Sequence, residues 1–137
     1  MVESSNFMVP TAHRPYTAVE TMAGVGFKPM NTLEEQGIWS AVIRVEAGQT
    51  LPARHHTALC ECLVVLGSGR YESGQSFASG DYLREENGVY EPLHAKDELV
   101  FFVTHHGVCR YVGTDESTQF VAEVESIQKM LEASPEQ

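Results

Sequence analysis

Arg54, His55, His56 and Glu61 stand within the eight residues RHHTALCE, and these types are the ones that hold metal ions or move protons. Imidazole and carboxylate offer lone pairs to divalent ions, and imidazole also gains and loses a proton near neutrality. Guanidinium has no free lone pair and stays charged, so Arg54 cannot be a ligand, but it can hold a carboxylate or an enolate by a forked pair of hydrogen bonds. The segment is extended in character, and in a strand successive side chains point to opposite faces. Arg54 and His56 then share one face and His55 takes the other. Glu61 has the parity of Leu63 and Val65, so it is expected to be a partly buried carboxylate on an apolar face. Such a group needs a partner, which Arg54 or His56 could supply directly or through a metal ion.

Further candidates lie downstream. Glu91 is a possible ligand; His94, after the turn expected at Glu91 and Pro92, is a reserve ligand and a general-base candidate. One of His105 and His106 must share the face of Leu99, Phe101 and Val103; a satisfied histidine at the barrel end is the plainer reading, with His106 kept as a reserve ligand. His55 would join a site only if its strand were bulged. Cys60, Cys62 and Cys109 make an odd count without disulfide or zinc-finger spacing, and the first two read as small buried hydrophobes. Trp39, Tyr71, Tyr82, Tyr90, Phe101 and Phe102 could line a pocket for a small planar molecule or be ordinary core.

Short strands must position these groups. IWSAVIRVE at 38–46 is a strand, and strand signals recur in LCECLVVLG, GRYES, SFASGDYL, LVFFVTHHG and VCRYVG, with turn residues between them. VGFKPM reads as a short strand ending at Pro29, and NTLEEQG at 31–37 as a turn or hairpin connection. Residues 1–16 have no period and read as an extended arm, whereas Val124, Ile127 and Leu131 recur on one face of a short helix over 123–133. The expectation is an all-β sandwich or barrel occupying residues 1–137 as one domain.

Nineteen acidic residues against nine basic ones give a net charge of -10, which disfavours nucleic acid and anionic membranes as partners. No apolar run approaches the roughly 18 residues of a membrane span, and no signal-peptide pattern opens the chain, so a soluble cytoplasmic protein is expected. The apolar arm and the helix stripe suggest a homodimer.

Two stretches over about 35–115 resemble the motifs of the cupin superfamily, the RmlC-like jelly-roll barrels. The first cupin motif runs glycine, five residues, His-x-His, three or four residues and glutamate; Gly48, QTLPA, Arg54, His55, His56, TALC and Glu61 follow it, with Arg54 in place of the first histidine. The second is followed by Gly80, DYLRE, Glu86, Asn87, Gly88, VY, Glu91, PLH and Ala95, where Glu86, Glu91 and Ala95 replace proline, histidine and asparagine. LPARHHT, GDYL and the ending MLEA are similar to dioxygenases that cleave dihydroxyacetophenone or acetylacetone and to the cupin domain of anti-sigma factors. The resemblance implies a small β-barrel with a divalent ion inside, Fe(II) in the oxygenases and Mn, Zn or Ni as alternatives. His56, Glu61 and Glu91 would hold it, Arg54 would orient an anionic oxygen of a small ketone, diketone or hydroxyacetophenone, and His94 would move protons. The competing expectation is a metal-free, non-catalytic module for a small ligand, with Arg54 bridging Glu61 and Glu91.

Overall fold

The computed structural model describes residues 8–133. In chain order, β1 (Thr17–Ala18) and β2 (Val25–Leu33) lead through a 3-10 turn at Glu34–Gln36 into β3 (Ile38–Val45). β4 (Thr50–Leu51), β5 (Ala53–His56), β6 (Cys60–Leu66), β7 (Ser68–Tyr71), β8 (Ser76–Ala78) and β9 (Tyr82–Glu85) follow. β10 (Gly88–Tyr90), β11 (Leu93–Ala95), β12 (Leu99–His105), β13 (Cys109–Val112) and β14 (Thr118–Ala122) complete the strands, and α1 (Val124–Ala133) comes last. They form a six-stranded sheet in the order β1-β2-β3-β12-β6-β9 and two four-stranded sheets, β10-β5-β13-β14 and β4-β11-β7-β8. This is the all-β architecture that the strand pattern implies.

Alternation builds the core. Trp39, Ala41, Ile43 and Val45 on β3 are buried with Leu99, Phe101, Val103 and His105 on β12, whose registers are opposed residue by residue. On β6 the buried members are Cys60, Cys62 and Val64, while Leu63 is 48% and Val65 52% exposed. Glu61 does keep company with Leu63 and Val65, but on the outer face, and the cysteines take the core side between the paired strands β12 and β9.

β2 does not end at Pro29. It bulges between Pro29 and Asn31 and runs on to Leu33, so only Glu34 to Gly37 remain as the connection. A proline cannot donate to the ladder, and a register shift beside it absorbs the loss. Gly37 (φ 70°) closes the turn in the left-handed region. Gly67 (φ 86°) is needed twice over, since a Cβ there would lie 1.9 Å from the carbonyl oxygen of Glu98.

The C-terminal helix lays its stripe on its own barrel. Ile127 is fully buried, Val124 and Met130 pack on the core, and Thr32 Oγ1 donates to Gln128 Oε1 at 2.5 Å. Ser126 Oγ accepts the N–H of Glu123 at 2.9 Å, reaching back to the helix start as a capping residue does. Burial of the stripe within the chain removes it as a reason for a homodimer. Of the expected arm, residues 1–7 lie outside the described residues; 8–16 lack regular structure but are anchored by Arg14 Nη1 to the carbonyl of Pro29 (2.7 Å) and by the Tyr16 ring under Lys28 and Arg44.

Candidate functional site inside the barrel

Three strand ends and the inner face of β5 converge inside the barrel. β5 sends Arg54 and His56 inward, β9 ends in Glu85, β12 in His105, and β7 in Tyr71. Glu85 is the hub. Its Oε1 accepts from Arg54 Nε (3.0 Å) and His56 Nε2 (2.6 Å), and its Oε2 accepts from Arg54 Nη2 (2.5 Å) and the Tyr71 hydroxyl (2.7 Å). The remaining end of the guanidinium, Nη1, donates to the carbonyls of Pro52 and Glu91, both at 3.1 Å. A forked guanidinium on a fully accepting carboxylate is the strongest form of a buried ion pair.

The network continues from His56 Nδ1 to His105 Nε2 at 2.8 Å, and its protons follow from one backbone group. The N–H of Gly107 points at His105 Nδ1, 2.9 Å away, so Nδ1 is an acceptor and the proton of a neutral His105 sits on Nε2. That proton is donated to His56 Nδ1, which places the proton of His56 on Nε2, where it is donated to Glu85. Both imidazoles are therefore neutral, and the buried charge is one guanidinium against one carboxylate. Trp39 holds the far end, with its ring stacked on His105 (5.2 Å between centroids, 6° between planes) and its Nε1 donating to the carbonyl of Gly107 at 2.9 Å.

Electrostatics agree with this proton assignment. Burial, with the neighbouring His56 and His106, pulls His105 down to about 3, so it stays uncharged. Burial opposes the charge of Glu85, but hydrogen bonding from His56, the charge and hydrogen bonds of Arg54, and the Tyr71 hydroxyl outweigh it and hold the carboxyl at about 2. Burial likewise opposes the charge of Arg54, and Glu85 overcomes it. Burial pushes the thiols of Cys62 and Cys109 up to about 12 and that of Cys60 higher still, with the Glu85 charge adding to each. Beside the network lies a cavity of about 30 Å³, bounded by these groups and by apolar side chains such as Leu51, Leu93 and Phe101.

Residues 4–109 match the family described as the ChrR cupin-like domain. The chain belongs to that family. Among solved structures, an acetylacetone dioxygenase from Acinetobacter johnsonii is similar at 13% identity with a TM-score of 0.80, covering 98% of this chain and 95% of its own. A protein of unknown function with a cupin-like fold from Ralstonia eutropha is similar at 18% identity and a TM-score of 0.81, covering 96% and 86%. Rhodobacter sphaeroides SigE in complex with the anti-sigma ChrR is similar at 20% identity and a TM-score of 0.57, over 66% of this chain and 47% of that one. No curated protein matches the chain by sequence.

Within this cupin interior, the structure unites Arg54 and His56 but not the two carboxylates expected beside them. Glu61 is on the outer face of β6, where its Oε2 accepts from the Tyr82 hydroxyl at 2.6 Å. Glu91 turns to the surface, where Oε2 accepts from Ser73 Oγ, and only its backbone carbonyl reaches Arg54. Arg54 accordingly bridges neither; its partner is Glu85. His94 is on the outer side of β11, between Thr50 Oγ1 (2.9 Å) and Glu72 Oε1 (2.7 Å), away from any place where it could serve the interior. His55 faces outward to Arg110, and His106 is exposed next to α1.

Glu85 is the member that sequence reasoning missed, although it has the parity of Leu83 in DYLRE. His105 is the one of the two histidines that takes the face of Leu99, Phe101 and Val103, hydrogen-bonded at both ring nitrogens, and Tyr71 comes from the aromatic set expected near a pocket. Counting three residues instead of four after His56 also puts Cys60 in the glutamate position of the first cupin motif.

His56, Cys60 and His105 each bring one donor atom within 4.8 Å of the others, a spacing that could hold a metal ion. The protons of this arrangement do not fit one. His105 Nε2 carries a proton because Gly107 occupies Nδ1, and His56 has both nitrogens engaged, so neither imidazole offers a free lone pair. Glu85, the one buried carboxylate among the described residues, accepts from four donors.

Among the described residues, no helix is long and apolar enough to cross a membrane.

Proposed function

We propose that this chain is a metal-free cupin that acts by binding and not by turnover, with its interior given over to a neutral Arg54–Glu85–His56–His105 network. The carrying observation is the Gly107 N–H on His105 Nδ1, from which the use of every nearby imidazole lone pair follows. Interior space supports the same reading. A cavity of about 30 Å³ admits a water molecule and is an order of magnitude below the roughly 300–1,000 Å³ of small-molecule sites. The guanidinium stands in for the cation: it neutralises Glu85 and spans to the carbonyls of Pro52 and Glu91, tying β5 to the strands around it.

The test is metal content after anaerobic reconstitution with Fe(II), Mn(II), Zn(II) or Ni(II). The expected result is no more bound metal than in His56→Ala. Near one ion per chain, lost in His56→Ala, would overturn the proposal.

A second reading, a metal-dependent oxygenase acting on a small diketone, is favoured by the clustered donors of His56, Cys60 and His105 and by the full-length likeness to an acetylacetone dioxygenase. It requires His105 to leave the Gly107 amide and Cys60 to lose its proton. Oxygen uptake with acetylacetone by the reconstituted protein would establish it.

A further inference from the structure

The outer side of β5 carries a second arrangement of polar groups that the interior does not use. In the antiparallel registers, Val89 on β10, His55 on β5 and Arg110 on β13 form one row across the sheet. They line a surface hollow of about 830 Å³, bounded by Pro52, Pro92 and Gln119 among others and open to solvent. This volume falls in the range of small-molecule sites.

The row uses only part of its donor capacity. Arg110 Nη1 donates to Thr118 Oγ1 at 3.1 Å, and Nη2 lies 3.3 Å from His55 Nδ1. Because guanidinium only donates, His55 Nδ1 is the acceptor and its ring proton is on Nε2. Among the described residues, His55 Nε2 has no hydrogen-bond partner and Arg110 no carboxylate within ion-pair distance.

We infer that this hollow binds a small organic monocarboxylate, its carboxylate taken by Arg110 and His55 and its apolar body by Val89, Pro52 and Pro92. The fork of a guanidinium matches two carboxylate oxygens. Val89, 68% exposed in the same row, supplies apolar surface that a bare inorganic anion would not use. Glu116 also lines the hollow and, with the strong negative charge of the whole chain, weighs against a phosphate dianion. The site is separated from the interior by the sheet itself, so it stands whether or not the interior takes a metal.

The experiment is an NMR titration of the full chain with benzoate, acetate and inorganic phosphate, following backbone amides and the Arg110 side chain. Saturable shifts centred on His55, Val89 and Arg110 are expected with benzoate, weaker ones with acetate and none at this row with phosphate. Arg110→Gln should weaken benzoate binding at least roughly tenfold, the loss expected for a charge-assisted hydrogen-bond pair. His55→Gln, a change at a half-buried outward position, should weaken it less, and amide spectra would show that both variants are folded. Absence of saturable shifts with benzoate, unchanged affinity in folded Arg110→Gln, or phosphate binding in preference to benzoate would each overturn the inference.

Discussion

The two sides of β5 carry the same chemistry in opposite states. Inward, all three guanidinium nitrogens of Arg54 and both ring nitrogens of His56 are engaged, with Arg54 only 2% exposed. Outward, His55 meets Arg110 from the neighbouring strand, and N–H groups are left over. Residue type does not decide which pair is structural and which is available to a ligand. Saturation does: an arginine enclosed with a carboxylate has its nitrogens occupied by the chain, whereas Arg110 meets, among the described residues, only a hydroxyl and an imidazole and keeps N–H groups for a ligand.

The largest expected effect is on the inner side. Glu85→Ala leaves the Arg54 charge buried without its partner and should cost about 3–5 kcal/mol in urea unfolding, the range for breaking a buried ion pair. Replacing both as Arg54→Met with Glu85→Leu should cost less than the sum of the two single changes. Additive losses would show that the fork is not the coupling element.

Acid should weaken the same side in two stages. His105 titrates at about 3 in the fold against 6.5 ordinarily, so below 6.5 the unfolded chain takes up a proton that the folded chain refuses. Stability therefore falls as pH drops from 6.5 towards 3, by on the order of a few kcal/mol. Glu85, at about 2 against 4.5, adds a further loss as pH falls from 4.5 towards 2. Denaturant midpoints between pH 7 and pH 4 test the first stage, and in His105→Gln the decline above pH 4.5 should flatten.

A smaller change sharpens the comparison. Arg54→His removes the guanidinium from Glu85 and restores the His-x-His of the first cupin motif, so this variant is expected to gain Zn(II) or Fe(II) that the parent chain does not retain, as read by elemental analysis. If both proteins stay metal-free, the Gly107-locked histidine alone is enough to keep ions out. On the outer side, Arg110→Gln should change stability by no more than about 0.5 kcal/mol, as for most surface substitutions, while removing carboxylate binding. A loss comparable to that of Glu85→Ala would make Arg110 structural too.

Much of this architecture was readable in advance from alternation. The β3, β6 and β12 strands, the C-terminal helix, the shared face of Arg54 and His56 and the opposite face of His55 all follow from period and parity, which are local properties of the chain. Parity sorts residues into two groups without saying which group is inside. Glu61 shares a face with Leu63 and Val65, yet that apolar pair faces out and the cysteines face in. Local reading also stopped β2 at Pro29, where a bulge carries the strand past the missing donor.

Local pattern along the chain specifies the β architecture, the composition of each strand face and the presence of a cationic and an imidazole group on one side of β5. Their partners come from the way the strands pack. Glu85 lies 31 residues from Arg54, and His105 lies 49 from His56, so no local pattern pairs them. The same holds for the protons: a backbone N–H at Gly107, placed by the turn after β12, sets the tautomer of His105 and through it that of His56. Packing of the sheets against each other brings these groups within hydrogen-bonding distance, and at that distance the nearest donor decides which lone pairs remain.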